Sequence, residues 1–546
     1  MSGSDASAGA QTRSTGVVSL AILLSRVLGL VRDQLLGGWF GTKYAGIFTA
    51  AFRTPNMLRD LFAEGALSAA FVTTFSQTLK TDGEAAAWEL GRKMVSLMLC
   101  FMTFVAAAGV ALAPLLVRIL NPGWKNEESY RLCILLAQIM YPFILVLSLA
   151  ALVMGMLNAR RVFFIPAVAS AFFNIGCIAG GAGLAWLMDP GFRAGGLSGG
   201  GLGEQGLVAF AIGTLIGGLL QLLVQLPALH RAGFRFRPDW VWRHDRVRGV
   251  LRLMWPSMLA ASGTQVNVLL NSIFASFTPG KESAAAWLAY AQRLQQLPLG
   301  LFGVAVATVT LPMLAQLAAG GITQGFRGAL AKGLRLVLFL TLPCAVGLAL
   351  LSRETVSLVF QYGKFNEHDV AMTAGALQAY AFGLVFYACV KVLQPAFLTI
   401  DKRFVPLVVT CCMIALNITV NSISVFVLGL DHRALAWCTA GLLAFDFAAL
   451  YVWMGRLAGG LATRELVSAL WRLGIALLVL AGICLAARST VLAGWADMRL
   501  WLRVLALGGT VAIAAAAYFL ATAKLGIEET REFLSLLGRR FGAGKR

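Results

Sequence analysis

Six basic side chains lie inside long apolar stretches of this chain, where a cation is costly and normally faces a protein interior or an aqueous cavity. They are Arg26, Arg32, Arg53, Arg59, Arg293 and Lys391. Cations grouped at membrane depth predict a binding site for an anion. An arginine fork binds phosphate through two hydrogen bonds, whereas Lys391 offers a less directional point charge. The predicted ligand is therefore an anion, and the arginines suit a phosphate.

The spacing within SRVLGLVRD (25–33) decides which of these side chains share a helical face. Arg26, Gly29 and Asp33 lie on one face, and Arg32 points about 120° away from Arg26. Both arginines can line one cavity only if the cavity is wide or the helix bends. Gly29 is the expected bend.

A second charged stretch, FRTPNMLRDLFAEGALS (52–68), contains Pro55 at a position suited to a helix start. Gly65 and Ala69 are four residues apart, a spacing that permits close helix packing. Three acids accompany the arginines: Asp33, Asp60 and Glu64. A second interpretation is that the arginines only neutralise these acids. We favour the anion site, because arginines outnumber acids here and Arg293 and Lys391 add charge from the other half.

Composition predicts the class of protein. Of the 546 residues 59% are hydrophobic and only 13% are charged, and the mean hydropathy is +0.78, far more apolar than a soluble domain. Apolar windows of about 20 residues, the length of a membrane-spanning helix, recur and predict an all-α polytopic membrane protein with about fourteen spans. The windows are 16–40, 56–79, 94–118, 132–157, 163–188, 206–229, 249–277, 284–317, 328–351, 370–400, 404–429, 434–455, 468–487 and 500–522.

Basic residues are distributed unevenly among the predicted connections. If the N-terminus is cytoplasmic, the tails and even-numbered connections carry more than twice as many Lys and Arg as the opposite side. The positive-inside rule then places both termini in the cytoplasm. The most basic connection, 230–252, also contains four aromatic residues. It predicts contact with anionic membrane lipids rather than nucleic acid, so the net charge of +20 reflects topology.

The spans divide into two sets of six, followed by two more. The predicted boundaries are a polar tail at 1–14, a first lobe at 15–229, a basic cytoplasmic hinge at 230–248, a second lobe at 249–457, spans 13 and 14 at 458–523, and an amphipathic cytoplasmic tail at 524–546. A weak internal repeat fits this division. The stretches 50–75 and 288–313 align without gaps and place Gly65 opposite Gly303.

Cofactor chemistry has little support in the sequence. The nine Cys residues show no CxxC spacing, and the four His residues fall in predicted loops. We therefore expect no metal site and no cofactor. The few acids within the spans are isolated or interleaved with arginine, which argues against a membrane enzyme that needs paired carboxylates.

Several segments resemble signature stretches of one protein family. They are SRVLGLVRD (25–33), AFRTPNMLRDLFAEGALSAAFV (51–72), NSIFASF (271–277), YAQRLQQLPLGLFGVAVATVTLP (290–312) and QYGKF (361–365). Together they resemble the MurJ (MviN) family, the lipid II flippases of bacterial cell-wall synthesis, over essentially the whole chain. The resemblance implies a fold of the multidrug/oligosaccharidyl-lipid/polysaccharide exporter type. In that fold two six-helix lobes surround a central cavity, and spans 13 and 14 form a groove for a polyprenyl tail.

The resemblance also implies a function. Such a flippase moves lipid II from the inner to the outer leaflet of the bacterial cytoplasmic membrane by alternating access, as a monomer and without covalent chemistry. The family's essential cavity arginines fall on Arg26, Arg32, Arg59 and Arg293, and its conserved acids on Asp33 and Glu64. Candidate flexing points are Gly29, Pro55, Gly65, Pro298 and Gly303. Alternatives are a flippase for another polyprenyl-diphosphate oligosaccharide, such as an O-antigen unit, and a drug exporter of the same superfamily, which would need acids and aromatic residues in its cavity.

Two positions depart from the family pattern. Many relatives carry Asp where Gly46 stands, and Asp often precedes the second-lobe arginine where this chain has Gln292. Some members resemble sodium-coupled carriers, and the nearest candidate ligands here are amides. They are Asn417 and Asn421, with Gln265 or Asn267 opposite. Amides supply oxygen but no charge, so packing is the favoured role and the identity of any coupling ion stays open.

Overall fold

The structure is a computed structural model that describes the backbone of residues 3–195, 203–318, 321–461 and 463–531. Within these ranges it is helical and contains no β-strand. A bilayer favours this outcome, because a helix satisfies every backbone N–H and C=O within its own segment. The predicted all-α fold class is confirmed.

The helices follow the order of the predicted spans. Their bounds are α1 (Gly3–Arg59), α2 (Ala66–Thr81), α3 (Gly83–Leu120), α4 (Glu127–Met140), α5 (Phe143–Ala159), α6 (Phe164–Met188), α7 (Pro190–Gly195), α8 (Glu204–Leu223), α9 (Leu226–Arg231), α10 (Asp245–Phe277), α11 (Lys281–Pro298), α12 (Val304–Ala318), α13 (Gln324–Leu350), α14 (Ser352–Phe360), α15 (Glu367–Thr399), α16 (Phe404–Ser422), α17 (His432–Leu457), α18 (Thr463–Ser489) and α19 (Leu500–Lys524). π-helical turns occupy Asp60–Gly65, Leu299–Gly303 and Ile423–Val427.

Ten helical segments in the described part of the chain are long and apolar enough to cross a membrane. They coincide with predicted spans 3 to 6 and 9 to 14. The windows of predicted spans 1, 2, 7 and 8 are also helical, and they contain most of the charged and amide side chains singled out above. The count of fourteen spans therefore stays a prediction.

The first helix changes direction at Gly41, whose backbone is not helical (φ 78°, ψ 167°). Glycine adopts this positive φ at little steric cost. The bend expected at Gly29 is not found, because α1 keeps helical backbone angles through that residue. Pro55 lies inside α1 rather than at a helix start. Because the break lies at Gly41 and not at Pro55, Arg53 lies inside the second part of this helix and Arg59 lies at its end.

The chain forms two compact units. The first contains Met1–Ala286 and Tyr362–Phe365, and the second contains Trp287–Gln361 and Asn366–Arg546. In this division α10 groups with the helices that precede it, whereas the sequence-based division placed it at the start of the second lobe. The short segment 362–365 belongs to the first unit, where the backbone N–H of Lys364 donates to the carbonyl oxygen of Gly38 at 2.7 Å.

Glycines allow α6 and α8 to pack closely within the first unit. A Cβ added at Gly217 would lie 2.4 Å from the carbonyl oxygen of Phe173, and one added at Gly213 would lie 2.5 Å from the nitrogen of Gly181. Membrane helices associate through such close packing, since lipid tails are as apolar as the side chains. The contact fixes the position of α6, which carries Phe173 and Asn174.

The last two helices pack on α13 within the second unit. The hydroxyl of Tyr518 on α19 donates to the carbonyl oxygen of Phe339 at 2.8 Å. Arg488 on α18 pairs with Glu354 on α14, with Nε and Oε1 3.0 Å apart. Predicted spans 13 and 14 therefore belong to the second unit, and their role as a polyprenyl groove stays a prediction.

The two stretches of the internal repeat share an uncommon backbone feature. One π-helical turn ends at Gly65 and another ends at Gly303, the two glycines that the gap-free alignment pairs. A π-helical turn is rare and often marks a functional position. Its presence at matched places supports the repeat.

Candidate functional site

Arg32 and Asp33 form an ion pair on α1 in the first unit. The Nη2 and Nε atoms of Arg32 lie 2.8 Å and 3.1 Å from Oδ1 of Asp33. The guanidinium carbon of Arg32 also lies 5.6 Å from the ring centre of Phe173 on α6. Because the two charged side chains are only 18% and 11% exposed, the arginine is held in one place by a carboxylate and an aromatic face.

Arg59 repeats this arrangement at the end of α1. Its Nη2 and Nε atoms lie 2.6 Å and 3.1 Å from Oδ1 of Asp60. The other carboxylate oxygen of Asp60 accepts a hydrogen bond of 3.4 Å from Nε2 of Gln265 on α10. Arg32 and Arg59 therefore each pair with a neighbouring acid, as the interpretation that the arginines neutralise the acids predicts. Each pair also fixes the direction of a guanidinium.

Arg26 differs from these two arginines. It is exposed, and it has no hydrogen bond or ion pair with any side chain that the structure describes. The backbone nearby is held by Asn174 on α6, whose Nδ2 donates to the carbonyl oxygen of Ser25 at 3.0 Å. The amide of Asn174 also lies 3.8 Å from the position of a Cβ at Gly29. Sequence reasoning missed Asn174, although a single amide within the apolar window 163–188 is a readable signal.

The structure describes the side chains of only some of the remaining predicted site residues of the first unit. Arg53 is partly buried on α1, and Pro55 is buried two residues further along. Glu64 and Gly65 belong to the π-helical turn, but their side chains lie outside the described residues. The predicted role of Glu64 as a supporting acid therefore stays a prediction.

The second unit holds Arg293 and Lys391. Arg293 is partly buried on α11, one turn before Pro298 and the π-helical turn that follows it. Lys391 lies on α15 with its Nζ atom 5.0 Å from the ring centre of Tyr387. An aromatic face stabilises an ammonium group without neutralising it. Both cations therefore lie on helices of this unit, and α15 is long and apolar enough to cross a membrane.

The amides proposed for a cation site fall in different units. Asn417 and Asn421 are fully buried on α16 of the second unit, and Nδ2 of Asn421 donates to Oδ1 of Asn417 at 2.8 Å. Gln265 and Asn267 belong to the first unit, where Gln265 bonds Asp60 and Asn267 donates to the carbonyl oxygen of Gly263 at 3.4 Å. All four amides take part in hydrogen bonds, and the choice between a packing role and a cation site stays a prediction.

We expect Asn421→Ala to lower the stability of the protein without changing how transport responds to sodium. The substitution leaves Oδ1 of Asn417 without its donor in a buried position, which costs about 1–3 kcal/mol. Thermal unfolding and transport with and without sodium measure the two effects. Sodium stimulation that is present in the wild type and absent from Asn421→Ala would show a cation site instead.

Comparisons with known proteins give one consistent result. A sequence profile described as "Lipid II flippase MurJ" matches residues 38–506. A Vibrio cholerae protein named probable lipid II flippase MurJ is 31% identical, covering 94% of this chain and 95% of the relative. A Burkholderia cenocepacia protein named lipid II flippase MurJ is 32% identical, with 77% and 78% of the two chains covered.

Solved structures share the fold. A lipid II flippase MurJ in an inward closed conformation matches with a TM-score of 0.71 and 22% identity, over 92% of this chain and 98% of the other. An inward-facing multidrug resistance MATE transporter of the MOP superfamily matches with a TM-score of 0.62 and 16% identity, over 83% and 98%. The profile covers well over half of the sequence and the Vibrio relative nearly all of it, so this chain belongs to the lipid II flippase MurJ family.

Proposed function

We propose that this protein moves lipid II from the inner to the outer leaflet of the bacterial cytoplasmic membrane by alternating access. The observation that carries the proposal is the set of arginines on α1 and α11, within predicted spans 1, 2 and 8 of a chain in this family. A buried cation at membrane depth is expensive, and a ligand of opposite charge gives it a function. The diphosphate of lipid II is such a ligand.

Arg26, Arg32, Arg59 and Arg293 are the proposed diphosphate-binding residues, with Arg53 and Lys391 contributing further positive charge. The ion pairs of Arg32 and Arg59 support this assignment, because a carboxylate holds each guanidinium in a fixed direction before the anion arrives. In both pairs one carboxylate oxygen accepts from the Nε and Nη2 edge of the arginine.

Transport itself requires no bond to be made or broken. We propose that the protein acts as a monomer without a cofactor, and that the two units carry the motion. The backbone freedom comes from small or helix-breaking residues in the segments that carry the arginines, such as Gly41 in α1, Pro298 in α11 and Gly303 in the π-helical turn after it. The direction of transport can then be set by a coupling ion, by the membrane potential or by consumption of the product.

Reconstitution tests the proposed substrate. Purified full-length protein in liposomes should move fluorescent lipid II to the opposite leaflet without consuming it, and Arg59→Ala protein should not. Liposomes containing an O-antigen-type polyprenyl diphosphate and liposomes loaded with a cationic drug provide the comparison. Transport of the drug but not of lipid II would contradict the proposal, and equal transport of both polyprenyl diphosphates would widen the substrate class.

The connection 230–252 is the proposed contact with anionic lipids. Asp239 anchors it to α3, because its Oδ2 lies 2.7 Å from Nζ of Lys93 and its N–H donates to the hydroxyl of Ser96 at 3.0 Å. The Lys93 ammonium also lowers the pKa of the Asp239 carboxyl. Next to this anchor, exposed aromatic and basic side chains alternate. They are Arg235, Phe236, Arg237, Trp240 and Arg243.

We expect this connection and both termini to lie in the cytoplasm. Trp240 is 57% exposed, so a Trp240→Cys variant on a cysteine-free background should react with a membrane-impermeant thiol reagent only after the membrane is opened. Trp186→Cys is the control for the outer side, because Trp186 is exposed near the end of α6 and should react in intact cells. Phe192 is buried and is therefore unsuitable. Labelling of residue 240 in intact spheroplasts would overturn the proposed topology.

A further inference from the structure

Three helices of the second unit meet around a buried histidine that the transport mechanism does not use. His432 begins α17, and it contacts Trp287 of α11 and the first turns of α15. Its side chain is fully buried, with 0% exposure. The ring centres of His432 and Trp287 are 4.7 Å apart. The histidine therefore lies where the beginnings of α15 and α17 meet Trp287 of α11.

The hydrogen bond of His432 determines which of its ring nitrogens carries the hydrogen. Its Nε2 atom lies 3.1 Å from the carbonyl oxygen of Met372. Because a carbonyl oxygen can only accept, Nε2 carries the hydrogen and Nδ1 of the neutral ring is bare. Nδ1 is buried and has no hydrogen-bond partner among the described residues. A second proton on the ring would therefore create a buried cation whose new N–H meets no acceptor.

The neighbouring acids are engaged elsewhere. Asp369 on α15 accepts from the indole Nε1–H of Trp287 at 2.9 Å and caps its own helix. Asp431 accepts from the backbone N–H of Arg433 at 2.9 Å and pairs with the guanidinium of Arg433 at 3.2 Å. α11 contributes the neutral Trp287.

The basic groups oppose a further positive charge. His368 on α15 lies with its ring centre 5.8 Å from that of Trp287. Arg433 on α17 donates from Nη2 to the sulfur of Met372 at 3.3 Å. A charged imidazole would gain a contact with the indole face of Trp287. That gain is smaller than the hydration lost in a fully buried site, and both basic neighbours repel the new charge.

We propose that His432 is a proton-sensitive contact that holds the beginnings of α15 and α17 and Trp287 of α11 together. The neutral ring fits the packed arrangement, and protonation favours an arrangement in which the ring reaches water. The packed state is therefore lost as the pH falls, beginning near the ordinary titration range of a histidine, at about pH 6.5. With both termini in the cytoplasm, these helix beginnings face the outer compartment, so acid on that side loosens them.

Nitrogen-15 NMR of histidine-labelled wild-type protein tests the protonation directly. The chain has only four His residues, so four pairs of ring signals are expected. One histidine should show a protonated Nε2 and a bare Nδ1 at neutral pH, and should stay neutral until the packed state opens. His432→Gln removes that pair of signals and assigns it. A His432 ring that is doubly protonated at pH 7, or that titrates near pH 6.5 while its packing is unchanged, would overturn the proposal.

Hydrogen exchange measures the predicted opening. After correction for the intrinsic effect of pH, the amides of residues 369–375 and 433–438 in wild-type protein should open about fivefold more at pH 5.5 than at pH 6.5. His432→Gln should abolish this dependence, since its amide is neutral at both values. The control His368→Gln changes an exposed histidine of the same cluster and should keep it. The same acid response in wild type and His432→Gln would contradict the proposal.

Discussion

Lipid II binding and transport are expected to be lost when Arg59 or Arg293 is replaced with alanine, while folded protein remains in the membrane. A guanidinium gives a phosphate two charge-assisted hydrogen bonds in one plane, and removing it from a desolvated contact costs about 2–4 kcal/mol of headgroup affinity. Arg→Lys should recover only part of the function, because an ammonium cannot reproduce the fork. Binding to purified protein and complementation of a flippase-depleted strain measure both effects.

The ion pair of Arg59 supplies the decisive control. If Arg59 only neutralises Asp60, then Arg59→Ala leaves a partly buried carboxylate whose remaining described side-chain partner is Gln265. Adding Asp60→Asn should in that case restore folding and transport together. If Arg59 binds the diphosphate, the double variant should fold and still fail to transport. Arg403→Ala, which removes an exposed arginine paired with Asp401, should have no effect. Unchanged lipid II binding in well-folded Arg59→Ala or Arg293→Ala protein would contradict the proposed role of these arginines in binding the diphosphate.

Gly46→Ala is expected to destabilise the first unit. A Cβ at this position would lie 1.7 Å from the carbonyl oxygen of Glu282 and 3.3 Å from Cα of Ser283. These are backbone atoms, so α1 and the start of α11 must separate to make room. Overpacking of this kind costs about 1–3 kcal/mol, and the larger Gly46→Asp should cost more. Thermal unfolding of the purified protein measures the loss.

Gly183→Ala is the matched control for this prediction. Gly183 also lies on a helix of the first unit, but a Cβ there meets nothing within 4 Å. Alanine is the better helix former, so Gly183→Ala should leave stability unchanged or slightly higher. A Gly46→Ala protein as stable as the wild type would mean that α1 and α11 separate easily.

The apolar helices could be predicted from the sequence because hydropathy alone identifies them. The helices that carry the arginines were located, but their breaks were not. Gly41 and Gly29 look equally able to interrupt a helix, and only the fold decides which of them adopts a positive φ. A π-helical turn has no hydropathy signature either. The bounds of the functional helices were therefore less predictable than those of the lipid-facing ones.

In the candidate site, too, the residue types could be predicted from the sequence and their contacts could not. Sequence reasoning identified the arginines and acids, and it placed Arg26 and Asp33 on one face of an ideal helix. The observed partner of Asp33 is Arg32, because a long arginine side chain reaches across the angle that separates neighbouring residues. Contacts from other helices, such as that of Asn174 with Ser25, depend on which spans are adjacent. One sequence read without relatives carries no information about that.

The paired π-helical turns at Gly65 and Gly303 have a consequence for the history of this chain. Each turn amounts to one residue inserted into an α-helix. Because 50–75 and 288–313 align without a gap, both halves carry the insertion at the same place. The insertion is thus most simply older than the duplication that produced the two halves. Deleting one residue from either turn would rotate the rest of that helix by about 100° relative to its beginning.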